Sequence, residues 1–153
     1  MDVPPICPLL FYRDARAALD FMERAFGFET RMVVDDGQGG VIHSEIGYEG
    51  QVIMVSGPPA PGSKYASPRD LGGKSTCSVC VQVKGGLDEL CERARAAGAT
   101  IEREPADQPY GDRVFTCVDP EGHAWAFGQT IALMSAAEQA VATGHKITTS
   151  LDG

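Results

Sequence analysis

The sequence predicts an α+β fold in which one order of elements, a strand, a helix and three strands, is used twice and a short helix follows. Three observations carry this. Strand and helix periodicities alternate in that order over 5–56 and again over 76–130. The two helical stretches share wording, LDFMERA at 19–25 and LDELCERA at 87–94. A stretch rich in proline and glycine, 57–75, stands between the two copies.

Residues 5–12 form the first apolar, strand-like run. Asp14 then caps a helix with apolar residues at 18, 21, 22, 25 and 26, the i, i+3, i+4, i+7, i+8 pattern of one helix face. Gly27 is its stop. Strand-like runs follow at 28–35, 40–47 and 51–56. Gly37, Gly39 and Gly40 supply the first turn, and Glu49 and Gly50 the second. The segment GPPAPGSKYASPRDLGGKS at 57–75 is either a plain crossover or a functional arm, because structureless connections of this length are uncommon inside a domain. Residues 76–84 alternate as a strand, with Val79, Val81 and Val83 on one face. Residues 87–97 form a helix with Leu87, Leu90, Cys91 and Ala94 on one side, stopped by Gly98. Runs at 99–103, 112–118 and 123–130 complete the second copy. Residues 1–131 read as one domain. In the tail, 132–153, Ser135 and Glu138 have capping-box spacing, Ala136, Ala137, Ala140 and Val141 give a modest stripe, and HKITTSLDG frays after Gly144.

Bulk properties bound the function. A chain of 153 residues that is 43% hydrophobic buries a core, which excludes disorder as the main state. A net charge of −8 argues against nucleic acid and anionic membrane surfaces. It is compatible with a cationic ligand, but plain solubility accounts for it better. No apolar stretch reaches the ~20 residues of a membrane helix. MDVPPICPLLFYRDA has neither the basic start nor the unbroken apolar run of a secretion signal. The five cysteines, at 7, 77, 80, 91 and 117, show no paired framework and fit reduced thiols in a cytoplasm.

Several motifs dissolve on inspection. Cys77 and Cys80 spell C-x-x-C, but on a strand they point to opposite faces and no second pair exists. Gly73-Lys74-Ser75 resembles the end of a phosphate loop, yet Pro68 stands where its first glycine belongs. His43 and Glu45 share a strand face, as an acid–base or metal pair or as an ordinary solvated one. Tyr110, Asp112 and Arg113 lie in a turn, where the arginine is either an anion clamp or half of a structural Asp–Arg pair. His123 is expected to hydrogen-bond at the end of a turn.

Other residues carry a resemblance. Arg13-Asp14 is followed by Ala18-Leu19-Asp20-Phe21 and Ala25-Phe26-Gly27-Phe28. In the second half come Ala96-Ala97-Gly98-Ala99, Tyr110-Gly111-Asp112-Arg113 and, most specific, Asp119-Pro120-Glu121-Gly122-His123. On these, residues 5–130 resemble the vicinal oxygen chelate superfamily of glyoxalase I, extradiol dioxygenases, fosfomycin-resistance enzymes and bleomycin-binding proteins. The resemblance implies two βαβββ modules forming a curved, cupped mixed sheet, with a divalent metal held in the cup by His, Gln or Glu from four strands. Here those four positions fall at Cys7, Met54, Ser78 and Ala126. Methionine, serine and alanine do not suit an ion that wants imidazole or carboxylate, so no metal or other cofactor is expected.

With those positions facing the cup, strand alternation adds Leu9 and Phe11, Val52 and Ser56, Cys80 and Gln82, and Ala124 and Gly128. Tyr110 and Arg113 border it. Ile53, Val55, Val79, Val81, Val83, Trp125 and Phe127 face the helices. The expected ligand-binding residues are Cys7, Leu9, Phe11, Met54, Ser78, Cys80, Gln82, Tyr110, Arg113 and Ala126. The competing reading is that these side chains fill a closed core or a dimer interface. The function expected is metal-free binding of a small organic molecule, aromatic or cationic, such as an antibiotic, by a homodimer. Alternatives are a glyoxalase-like lyase or dioxygenase metalloenzyme, and a metal-free acid–base catalyst using His43, Glu45 or Cys7.

Overall fold

The computed structural model describes residues 3–150. The first module runs β1 (Leu9–Phe11), α1 (Ala15–Phe26), β2 (Glu29–Asp35), β3 (Val41–Tyr48) and β4 (Gln51–Ser56). A crossover with a 3-10 turn (Pro68–Leu71) leads to β5 (Ser78–Gln82), α2 (Leu87–Ala97), β6 (Thr100–Asp107), β7 (Asp112–Val118) and β8 (Ala124–Thr130). The last helix is α3 (Ala136–Thr143). Each module makes its own open four-stranded mixed sheet, ordered β1-β4-β3-β2 and β5-β8-β7-β6, so the repeat extends to topology. In each, the first strand runs parallel to the last and the other pairs are antiparallel.

Local chemistry explains the boundaries. The Asp14 carboxylate accepts the Ala17 N–H at 2.9 Å and starts α1, while Gly27 at φ 73° ends it. Glu49 (φ 48°) and Gly50 (φ 78°) form the two-residue turn between the paired Tyr48 and Gln51. The capping box forms as the spacing predicts: Ser135 N–H donates to Glu138, and the Glu138 N–H donates to Ser135 Oγ. No residue of α3 is buried, and Val141 lies open to solvent.

Several boundaries differ from the sequence reading, β5 (Ser78–Gln82) being shorter than the 76–84 run at both ends, and three differences bear on the fold. β1 starts at Leu9 rather than near 5, because Pro4, Pro5 and Pro8 carry no N–H for a ladder. β6 runs on to Asp107, past two register shifts, because pairing with β7 supplies what its polar sequence lacks. The 57–75 stretch is ordered where it packs: Ser67 caps the 3-10 turn, Tyr65 stacks on Phe11 with ring centres 4.7 Å apart, and Asp70 pairs with Arg13.

One core joins the two modules. α1 buries Ala18, Leu19, Phe21, Met22, Ala25 and Phe26, and α2 buries Leu87, Cys91 and Ala94. Phe26 sits 4.9 Å from the Trp125 ring and 4.7 Å from Phe127, both on β8 of the other module.

Candidate functional site

Residues opposite one another across a ladder project to the same side of a sheet. In the first sheet one such row is Leu9, Met54, Glu45 and Met32, and the next is Phe11, Ser56, His43 and Val34. The matching rows of the second sheet are Cys80, Ala126, Thr116 and Arg103, then Gln82, Gly128, Val114 and Ala106. Ser78 pairs with Ala124 one row away. The reverse faces carry Leu10, Ile46, Ile53 and Val55, and Val79, Phe115, Trp125 and Phe127, all buried in the core. The helix-facing side read from strand alternation matches the packing in these residues, whereas Val52, expected on the cup side, is buried as well and Val81 is only half-buried.

Leu9, Phe11 and Met54 thus share the outer face of the first sheet. Ser78, Cys80, Gln82 and Ala126 share that of the second. Ser78, Cys80 and Gln82 are exposed. Gly128 leaves room for Gln82, whose amide donates to Asp112 at 3.0 Å; a Cβ on Gly128 would meet that amide at 2.9 Å. Two hollows touch these faces. One of about 350 Å³ lies between β4 and β5, against Ile6, Pro8, Val52, Cys80 and Gln82. The other, about 250 Å³, lies under the crossover, against Leu9, Phe11, Tyr65 and His123.

Three expected residues stand apart. Cys7 precedes β1, and its thiol donates to the Pro4 carbonyl at 3.1 Å. Tyr110 is exposed in the turn before β7. Arg113 pairs across β7–β8 with Gln129 and so occupies the helix side. Its guanidinium binds Asp88 of α2 at 2.8 and 3.0 Å and Asp107 at 2.7 Å. It is the structural Asp–Arg pair of the two readings, and a cup-lining role for Arg113 is corrected on that geometry.

The fit to a divalent ion is poor on donor chemistry. At the four positions to which the resemblance assigns metal ligands, Met54, Ser78 and Ala126 offer no imidazole or carboxylate, and Cys7 lies outside the strand. His43 and Glu45 put two donors on the first sheet. Among the described residues the one cluster of three close donors is Cys91, Glu92 and Glu104, at α2 and β6, away from these faces. An open catalytic site needs about three protein ligands.

Two features escape sequence reasoning. The first is a buried polar knot that ties the Asp119–His123 turn to the other module. Asp119 accepts the Tyr12 hydroxyl at 2.6 Å, the Trp125 ring N–H at 3.2 Å and the backbone N–H groups of Glu121 and His123. Glu121 accepts Ser67 Oγ–H at 2.6 Å and the backbone N–H groups of Arg13 and Asp14. His123 Nε2 lies 2.9 Å from the Phe11 carbonyl, so its bond spans modules rather than closing its own turn. The second is Glu45, only 5% exposed, whose Oε2 has no hydrogen-bond partner among the described residues.

The knot and core carry a pH signature. Burial, then the Asp119 charge, raises the Tyr12 hydroxyl well above its ordinary 10.0. Burial pushes the Cys117 thiol from 9.0 up to about 12. Both groups keep protons in the folded chain that the unfolded chain releases. Their contribution is whole below pH 9 and is lost as pH rises, through Cys117 first and through Tyr12 from pH 10, at up to about 1.4 kcal/mol per pH unit per proton. Denaturant unfolding across about pH 8 to 11 is expected to show that fall, shallower above pH 10 in Tyr12→Phe. A flat profile would contradict it.

The chain belongs to the Glyoxalase/Bleomycin resistance protein/Dioxygenase superfamily, whose family model matches residues 6–127. An uncharacterized protein of Mycobacterium bovis is 33% identical over 130 residues, covering 84% of each chain. Among solved structures, TioX from Micromonospora sp. ML1 superposes with a TM-score of 0.66 at 30% identity, over 82% of this chain and 97% of that one. The fosfomycin resistance protein FosX of Listeria monocytogenes, solved with Mn(II) and sulfate, shares the fold at a TM-score of 0.61 and 15% identity, over 92% and 98%.

Proposed function

We propose that this protein binds a small, mostly apolar or aromatic organic molecule without a metal, on the outer faces of its two sheets. The observation that carries this reading is the lining: Leu9, Phe11, Met54, Cys80 and Ala126 make apolar to weakly polar rows that the helices leave uncovered. A surface of that kind with a few orienting polar groups is what small-molecule sites use. Ser78 and Gln82 supply such groups, and in this reading Tyr110, in the turn before β7, borders the second face. In this reading a second copy of the chain faces these sheets and completes the site, so the working form is a homodimer. No helix among the described residues is long and apolar enough to cross a membrane. The five free cysteines fit a reducing cytoplasm.

A thermal-shift screen of cationic glycopeptides and planar aromatic compounds tests the reading, with manganese, zinc, nickel and iron salts as a second arm. A true ligand at a hundredfold excess over its Kd stabilises by about 2.7 kcal/mol. At least one organic compound is expected to raise Tm, and no metal is. Stabilisation by a metal alone, or by nothing, would count against it.

A further inference from the structure

The row that faces outward from the first sheet contains one group that the fold itself does not use. Glu45 stands between Met32 on β2 and Met54 on β4, with His43 and Ser56 in the next row. Its neighbours in sequence, Ser44 and Ile46, point into the core, where the Ser44 hydroxyl donates to the Val55 carbonyl at 2.8 Å. Glu45 therefore lies on the proposed ligand face, yet it is 5% exposed and its Oε2 is unpartnered among the described residues. A buried carboxylate oxygen without a donor is costly to the fold. Methionine would fill the same space without that cost, and glutamine with less of it, since an unpaired amide costs less than an unpaired charge. A carboxylate at that place makes physical sense if a donor arrives with the ligand.

We infer that Glu45 is the anchor of the site and that the compound it recognises carries a protonated nitrogen with N–H groups, a primary ammonium or an amidinium, on a slender arm. The inference rests on the proposed binding role and deepens it. The flanking methionines fit the task. Their unbranched, polarizable side chains part for an inserting arm and then pack against the apolar body that follows. The nitrogen forms a charge-assisted hydrogen bond to Oε2, stronger than a neutral one and strengthened by burial. A quaternary ammonium brings the charge but no hydrogen, and is too bulky to pass. The chain's net charge of −8 favours the approach of such a cation.

The test is calorimetric titration of the full-length protein with three matched probes: naphthylmethylammonium, its N,N,N-trimethyl analogue and naphthylmethanol. The primary ammonium is expected to bind roughly tenfold more tightly than either of the others, the size of effect one charge-assisted bond gives. In Glu45→Gln the three are expected to bind alike, with Tm at or above that of the unaltered protein, since the substitution removes a buried charge the fold does not pair. The probe ratio needs no variant, so it stands even where the substitution fails to fold. Equal binding of the alcohol and the ammonium overturns the inference and leaves the binding role intact. A preference that survives in Glu45→Gln does the same. Failure of all three probes to bind overturns both.

Discussion

Asp119→Ala is expected to cost about 4 kcal/mol of folding stability, because four donors lose their acceptor in a buried site and each unpaired donor costs about 1–3 kcal/mol. Those donors are the Tyr12 hydroxyl, the Trp125 ring N–H and the N–H groups of Glu121 and His123. All four belong to buried residues, Tyr12 and Trp125 at 1% exposure and Glu121 and His123 at 7%, so solvent is a poor substitute for the lost acceptor. At roughly 2–4 °C per kcal/mol for a chain of this size, Tm should fall by about 10 °C. Asp119→Asn is expected to cost less, because its remaining carbonyl oxygen still accepts. Denaturant unfolding of both variants checks the order. A loss under about 1 kcal/mol for the alanine variant would mean that the knot does not hold the modules together.

Phe26→Ala is expected to cost about 3–5 kcal/mol, the range for deleting a buried aromatic side chain and leaving a cavity. The residue belongs to the first module, but its ring packs between Trp125 and Phe127 of the second. The consequence is therefore not local. Trp125, the chain's one tryptophan, is a fluorescent reporter on β8. Its unfolding transition should shift together with the far-ultraviolet circular dichroism of the whole chain, as two-state behaviour requires. Separate transitions for the two probes would show that each module folds on its own core.

Much of this fold is legible in the sequence because its elements are locally consistent. The face of α1 follows from the spacing of Phe21, Met22, Ala25 and Phe26, and the buried residues of the helix include all four. Both faces of β8 follow from alternation, with Trp125 and Phe127 in the core and Ala124 and Ala126 turned outward. What periodicity does not carry is partnership between distant parts of the chain. Asp119, Glu121 and His123 read as a turn, and their work is to bind Tyr12 and Phe11 in the other module and Ser67 in the crossover. Arg113 reads equally as an anion clamp and as half of an Asp–Arg pair until Asp88 and Asp107 are seen beside it. Glu45 reads as one of a pair with His43, reactive or simply solvated, because alternation gives its face but not its depth. A cue to that depth existed in its position between apolar strands on both sides.

The central claim, a ligand seated on the outward rows of the sheets, is tested most directly by the methyl signals of the methionines. Met32 and Met54 lie in the row with Glu45, Met22 is sealed in the core, and Met134 stands just before α3. The chain is labelled with 13C at the methionine methyls and titrated with the most strongly stabilising aromatic compound from the screen. Ring currents are expected to move the signals of Met32 and Met54 and to leave Met22 and Met134 in place. Movement of Met134 alone, or of no methyl at saturation, would contradict the account.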